Sequence, residues 1–447
     1  MMWRSVRKFL DHAFSGSAYC AVALMAGFLV LVIGPVFVKG AGAYVFKGTI
    51  ENRRMMLEQF GRGDKTEILA EWAETQRLRQ PIYDAVAAFE QELAELPAAK
   101  QKALKPAFKE VKDGIAELFG PAPNTPLPVL TRKVYGQTRW DRAQVKCAQI
   151  LFEEQWDYSE ETSKKIFIPR LPIFDGTALA SIFPILEKDL KRLMQPRIQF
   201  YPQFLTDRSI DAHFFGGIGA EVIGTIYLAL GAMLIAVPFG IIAAIYFQEY
   251  AKNGPVLSFL RSCVNTLAGV PSVVFGLFGL AFFINTLHVS QGKSVIAGAL
   301  TLALLVLPTV IRASEEAIAA VPRTYKEAAL SLGAGQWHTI FTVILPAALP
   351  GILTGVVISM GRAAGETAPI IFTAAVSVGP LIGLGDVLSH PTPALSWNLY
   401  NMCTEHEAAD EIRHVQYGMA LTLVMIVLAL NLAAIFLRAH VAKRLKG

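Results

Sequence analysis

Six long apolar runs dominate this chain, at 20–38, 222–248, 263–283, 294–311, 349–373 and 415–437. Five contain no Asp, Glu, Lys or Arg, and 349–373 contains only Arg362 and Glu366. A helix rises about 1.5 Å per residue, so about 20 apolar residues cross a hydrocarbon layer about 30 Å thick. Backbone polar groups in lipid must be satisfied within their own segment, and runs of this length do so as helices rather than as β-barrel strands. Six of them are too many for the core of a soluble protein. The sequence predicts an all-α polytopic membrane protein with six transmembrane helices.

Charge distribution supplies the orientation. With the N-terminus inside, the short segments 1–19, 249–262, 312–346 and 438–447 carry twelve Lys/Arg, against Lys293 and Arg413 in the short outside loops. That is a positive-inside bias, and it places both termini in the cytoplasm. Arg4, Arg7 and Lys8 ahead of the first run raise the alternative of a cleaved leader. The run exceeds a usual leader core and no clean A-x-A site follows, so a retained anchor is expected. The stretch 367–385 is too rich in Gly and Pro for a seventh span and is expected to form the outer end of span five with a re-entrant or surface-lying loop.

Residues 40–217 are a different material. They hold 49 of the 77 charged residues, and the topology puts them outside the membrane. Val86, Phe89, Leu93 and Leu96, then Phe108, Val111, Ile115 and Leu118, recur at helical spacing. Pro97 and Pro106 are read as punctuation within a helical hairpin. GPAPNTPLP at 120–128 reads as a linker, and 129–140 and 164–174 as short strands. A mixed, mainly helical extracytoplasmic insert is expected, with no nucleophile–base pair, metal-spaced cluster or phosphate cradle. Cys147 and Cys403 both fall outside, and nothing in the sequence shows whether they pair. Net charge is +5, but no basic block with interleaved aromatics points to nucleic acid.

The apolar part carries three informative features. VPRTYKEAALSLGAGQWHTIFTVILPAALPGI at 321–352 reads as a short helix, a glycine turn, a second amphipathic helix and a proline-marked start to the next span. Glu327, Ala328 and Ala329 offer a carboxylate and two small side chains suited to a partner's groove, and Gly333 allows a sharp turn. In GRAAGETAPIIFTA at 361–374, Arg362 and Glu366 stand i,i+4 on one helical face within a span. Ionisable groups in a membrane are functional hypotheses by default. One reading makes them a buried salt bridge between spans. The other makes Arg362 a multi-donor, permanently charged site for a tetrahedral oxyanion, with Glu366 moderating its grip. Third, glycines such as Gly231, Gly240, Gly351 and Gly355 permit close helix packing, while Pro238, Pro271 and Pro308 can kink spans.

Glu327-Ala328-Ala329, Gly333 and Ile344-Leu345-Pro346 resemble the coupling loop of binding-protein-dependent ABC importer permeases. With GVPSVVFGLFGL at 269–280, PTVIRASEEAIAAVP at 308–322 and GRAAGETAP, the chain resembles the permeases of the bacterial phosphate importer, more closely the second of the two (PstA-like). The resemblance covers 214–447 closely and 1–39 loosely. It implies the type I, MetI-like permease fold, no covalent chemistry, and no cofactor bound by this chain. It also implies a homologous second permease subunit, a cytoplasmic ATPase dimer holding ATP-Mg and docking on Glu327–Pro346, a periplasmic phosphate-binding protein, and inorganic phosphate as cargo. The absence of a GxxxxGK[ST] loop agrees that the ATPase is another chain. Arg362, Glu366 and Arg312 are implied for the substrate pathway, and Glu316 for gating or structure.

The implied organisation is a cytoplasmic 1–19, a first span 20–39, a periplasmic insert 40–217, a permease core 218–438 with coupling loop 312–346, and a basic cytoplasmic tail 439–447, all in the inner membrane. Two features depart from the family: the insert, where a short loop is usual, and Glu221, a carboxylate that would repel an anion at the outer mouth unless paired. Importers of sulfate or molybdate, or a sensor or assembly protein built on a permease core, remain alternatives.

Overall fold

The computed structural model describes residues 2–121, 123, 135–157, 164–406 and 408–446. It divides into two units, Tyr44–Pro202 on the one hand and Met1–Ala43 with Gln203–Gly447 on the other. The chain begins with α1 (Met2–Ala41), whose stretch His12–Ala41 is long and apolar enough to cross a membrane. Lys39 in its last turn complements the partial negative charge of the helix C-terminus.

The unit Tyr44–Pro202 runs β1 (Val45–Gly48), α2 (Ile50–Phe60), α3 (Lys65–Glu95), α4 (Ala98–Phe119), α5 (Trp140–Leu151), β2 (Phe152–Asp157), β3 (Lys164–Pro169), α6 (Ile182–Met194) and β4 (Arg197–Phe200). β1 pairs antiparallel with β4 in the register Val45↔Phe200, and β2 with β3 in the register Phe152↔Pro169. Asp64 caps α3, its Oδ1 accepting from Thr66 N at 2.8 Å and Glu67 N at 3.2 Å. The Thr66 hydroxyl, donating to the same oxygen at 2.6 Å, together with these backbone hydrogen bonds holds its carboxyl below the usual range. The helices bury Phe89, Phe108, Val111, Ile115, Leu118, Ile150, Phe174 and Leu186 in one core. At its edge stands a guanidinium. Arg79, fully buried in α3, pairs with Glu51 Oε1 at 2.8 Å and donates to the Leu193 carbonyl at 3.0 and 2.8 Å and to that of Phe119 at 3.3 Å. It thereby satisfies carbonyls at the ends of α6 and α4 that have no partner within their own helices.

Three expectations for this region are revised. Pro106 does not interrupt the chain, since it lies inside α4. It is exposed, so water can take the hydrogen bond its ring denies to the preceding turn. The expected strand at 129–140 falls partly outside the described residues, and its described part, 135–140, contributes only an isolated bridge from Arg139 to Gly48. The 120–128 linker also lies largely outside them. At 164–174 a strand forms only as far as Pro169, and Leu171–Phe174 is a 3-10 turn.

The other unit resumes after Pro202 with a tight hairpin, β5 (Ser209–Ile210) and β6 (Phe215–Gly216), whose turn holds Asp211, Ala212 and His213 at positive φ. Helices follow as α7 (Gly219–Ile245, extended by a π-helical turn to Tyr250), α8 (Pro255–Ala268), α9 (Ser272–Gly279), α10 (Val295–Ala319), α11 (Arg323–Ser331), α12 (Gln336–Thr339), α13 (Leu345–Gly365), α14 (Ala368–Thr373), α15 (Leu395–Thr404) and α16 (Arg413–Lys446). α10 packs between α7 and α13, and α13 packs on α16, which also meets α1. Backbone proximity sets the α10–α13 contact, since a Cβ on Gly355 would lie 2.2 Å from Ala313 Cβ.

Five helices among the described residues are long and apolar enough to span: His12–Ala41, Gly219–Tyr250, Val295–Ala319, Gln336–Gly365 and Arg413–His440. The expected third span, 263–283, is not one straight helix. It straddles Pro255–Ala268 and Ser272–Thr286, which meet at 99°, so a sixth span requires this bent pair to cross together. Pro271 is the cause, because it cannot donate to the preceding turn and it biases Val270 away from helical geometry. The expected fifth span, 349–373, is also redrawn. Its helix starts earlier, at Gln336, passes through a π-helical turn at Ile340–Ile344, and stops at Gly365. Pro369, in the first turn of α14, prevents it from continuing. The stretch 374–385, the rest of the segment expected as a loop, forms no span-length helix.

Candidate functional site

Three places on the membrane unit gather the residues that the sequence singles out. The first is the connection from α10 to α13. Pro322 caps α11, which buries none of its side chains. Glu327 and Ala328 are exposed on it and Ala329 is half-buried. Gly333 then turns the chain with φ +83°, a conformation that favours glycine. Leu332 just before the turn and Trp337 and Phe341 beyond it project, with the Trp337 and Phe341 rings 4.2 Å apart. Leu345 and Pro346 are half-buried at the start of α13. The segment 312–346 is mostly helix, and its first part continues α10 to Ala319. Two side chains fasten it to the end of α7: Lys326 Nζ pairs with Glu249, and Gln336 Nε2 donates to the Glu249 carbonyl at 2.7 Å.

The second place is the end of α13. Arg362 occupies its last turn and Glu366 caps it, with Nε 3.1 Å from Oε1. Arg362 is therefore at a helix end and not midway along a span, because the helix begins thirteen residues before the expected Leu349 and ends before Thr373. Arg362 is exposed while Glu366 is mostly buried, at 44% and 19% of their side chains. α15 reaches both this point and the start of α7. Ser396 Oγ donates to the Glu366 carbonyl at 3.0 Å, and Leu395 N to Thr225 Oγ1 at 2.9 Å. Asn398 Nδ2 donates to Glu221 Oε1 at 3.0 Å.

Glu221 answers the difficulty its charge posed. It is buried, and the same Oε1 meets His213 Nε2 at 2.8 Å. To bond a carboxylate that nitrogen must carry the proton. Oε1 thus meets two partners, whereas Oε2 is buried with no hydrogen-bond partner among the described residues. His213 and Asn398 gave no local sign of this role, lying eight and 177 residues from Glu221.

The third place is an open cavity of about 350 Å³ between α8 and α10, lined among others by Arg261, Asn265, Arg312, Glu315 and Glu316. Arg312 donates to Asn265 Oδ1, and Arg261 pairs with Glu315 at 3.0 Å. The ion pair at this place belongs to Glu315, while Glu316 lines the same cavity. Arg312 lines this cavity and Arg362 does not. Among the described residues no group of His, Cys, Asp and Glu is arranged to hold a metal. The cysteines, Cys147 and Cys403 included, are free.

Residues 236–447 match the family described as binding-protein-dependent transport system inner membrane component. Over 252 residues the chain is 35% identical to the probable ABC transporter permease protein YqgI of Bacillus subtilis, covering 54% of this chain and 85% of that one. The chain belongs to this family. It is a membrane permease subunit of an ABC-type importer, and its membrane unit is multi-pass and mainly helical. It is also 38% identical over 231 residues to the phosphate transport system permease protein PstA 1 of Mycobacterium tuberculosis, covering 52% of this chain and 73% of that one. A solved structure of the MetNI methionine ABC transporter in an inward facing conformation shares 18% identity at a TM-score of 0.38, covering 50% of this chain and 94% of that one. Arg312, Glu327, Arg362 and Glu366 lie within the family match, whereas Glu221 and the unit Tyr44–Pro202 precede it.

Proposed function

We propose that this permease carries inorganic phosphate inward across the inner membrane, paired with a homologous permease and driven by a cytoplasmic ATPase dimer that holds ATP-Mg. The observation that carries the choice of cargo is the identity to a phosphate transport system permease over most of that protein's length. The geometry of Arg362 is consistent with it. An exposed guanidinium whose carboxylate partner engages one edge still has donors to offer a tetrahedral oxyanion.

In this reading phosphate arrives from a separate periplasmic binding protein and passes Arg362, then the cavity beside Arg312. Glu366 competes with the anion for Arg362 and keeps it from being trapped. Glu316 shapes the inner mouth, and Glu221, held by His213 and Asn398, serves as structure. The ATPase docks on the segment from Glu327 through Gly333 to Leu345 and Pro346, whose exposed Leu332 and Trp337 call for a partner surface. The bent pair Pro255–Ala268 and Ser272–Thr286 crosses as one span, which returns both termini to the cytoplasm and leaves the unit Tyr44–Pro202 in the periplasm.

The test is ATP-driven uptake of radiolabelled phosphate into proteoliposomes that contain this chain, its neighbouring permease, the ATPase and the binding protein, with sulfate and molybdate as competitors. Saturable, ATP-dependent uptake that resists both competitors is expected. ATP hydrolysis by an intact complex without phosphate movement overturns the reading.

A further inference from the structure

The ribbon of β1 and β4 is two-faced. Residues opposite one another in an antiparallel ladder share a face. The pairs Val45↔Phe200 and Lys47↔Ile198 put these four side chains on one side, and Phe46 and Gln199 on the other. The second side turns inward. Phe46 lies under the Arg139 guanidinium at 4.3 Å, and Gly48 bridges to Arg139. The first side is bare, with Val45 51%, Ile198 75% and Phe200 74% exposed and Lys47 exposed among them. Single exposed apolar residues are ordinary, but three in register on one ribbon face, with a lysine between them, form a continuous surface.

Chain connectivity says what that surface meets. α1 ends at Ala41, and only three residues separate it from Val45. Even fully extended they keep β1 within about 14 Å of the helix end. Turns from Gly42 N to Lys39 O at 3.1 Å and from Ala43 N to Gly40 O at 3.0 Å shorten the link further. The headgroup region of one leaflet is about 5–8 Å deep. We propose that the β1–β4 ribbon rests on the membrane surface, with Val45, Ile198 and Phe200 seated at the acyl-chain boundary and the Lys47 ammonium among lipid phosphates. The occupant is the bilayer because a ribbon tethered this close to a span meets lipid before it meets any soluble partner, and because apolar side chains flanking a cation suit an acyl boundary beneath an anionic layer. The inference rests on α1 crossing the membrane and is independent of the transported anion.

The experiment uses the full chain in lipid nanodiscs, with Cys20, Cys263 and Cys403 changed to Ser and single cysteines introduced as Ile198→Cys, Phe200→Cys and, for comparison, Lys100→Cys at the exposed start of α4. Each introduced cysteine carries an environment-sensitive fluorophore. Labels at 198 and 200 should lose most of their emission to brominated lipid and little to aqueous iodide, with the reverse at 100. Equal iodide quenching at all three sites, with no effect of brominated lipid, overturns the proposal. So does shielding of 198 and 200 from both quenchers, which would mean a protein surface covers the ribbon. Ile198→Asp and Phe200→Asp provide a label-free control: either should increase proteolytic clipping of β4 in nanodiscs but not in detergent, whereas equal clipping in both media counts against lipid contact.

Discussion

Asn398 donates to Glu221 across 3.0 Å although 177 residues separate them in the chain. With His213 at 2.8 Å on the same oxygen, the carboxylate joins the hairpin turn, α7 and α15 in one buried cluster. Glu221→Ala should leave both donors unpaired at about 1–3 kcal/mol each. Glu221→Gln keeps an acceptor and should lose less. Thermal unfolding in nanodiscs measures the order, and an alanine variant as stable as the parent would contradict it.

Arg362 and Glu366 separate a transport role from a structural one. Loss of the charge-assisted contacts of Arg362, roughly 1.5–3 kcal/mol, corresponds to about a ten- to hundredfold fall in uptake. Arg362→Ala should show this in proteoliposomes while the complex still assembles by size-exclusion chromatography. Failure to assemble would make the pair a tie within the protein.

The Lys326–Glu249 pair links the exposed α11 to the end of α7. Lys326→Glu should reduce phosphate uptake per ATP hydrolysed, and the double change with Glu249→Lys should restore it. Measuring hydrolysis and uptake on the same vesicles distinguishes coupling from loss of activity, and an uncorrected double variant would rule out a role for the pair.

Gly333 tests the turn itself. A β-branched residue at φ +83° costs about 1–2 kcal/mol, so Gly333→Val should tilt α11 against α12. Hydrolysis should persist while uptake falls, with Gly333→Asn milder because asparagine tolerates left-handed geometry. Normal coupled uptake by the valine variant would show that the turn is not needed for docking.

Cys147 should resist alkylation. Burial raises its thiol pKa to about 11, so about a thousandth is thiolate at pH 8. The thiolate is the nucleophile, so the labelling rate should climb about tenfold per pH unit and level off only near pH 11. Peptide mapping after maleimide treatment of native and denatured chain reads it. Rapid native labelling at pH 7 would show the site to be open.

What the sequence made legible was local. Long apolar runs marked the helices of α1, α7, α10, α13 and α16, because lipid demands both length and apolarity. The i,i+4 spacing anticipated the contact of Arg362 with Glu366. The helical spacing of Phe108, Val111, Ile115 and Leu118 reported the buried face of α4. Breaks inside apolar runs were harder to place. Pro271 turns the chain through 99°, whereas Pro238 and Pro308 stay inside α7 and α10. Whether a proline bends or breaks a helix depends on what its neighbours pack against. Partners distant in the chain left no signal, as with Asn398 for Glu221 or Gln336 for Glu249.

The pairing of Val45 with Phe200 has an architectural consequence. The polypeptide enters the unit Tyr44–Pro202 and leaves it along adjacent strands, so the unit's two ends are held side by side by its own hydrogen bonds. A unit closed in this way can be grafted into a short connection, or excised from it, without stretching what flanks it. Joining Lys47 to Ile198 by a two-residue turn would rebuild a plain hairpin across that pair.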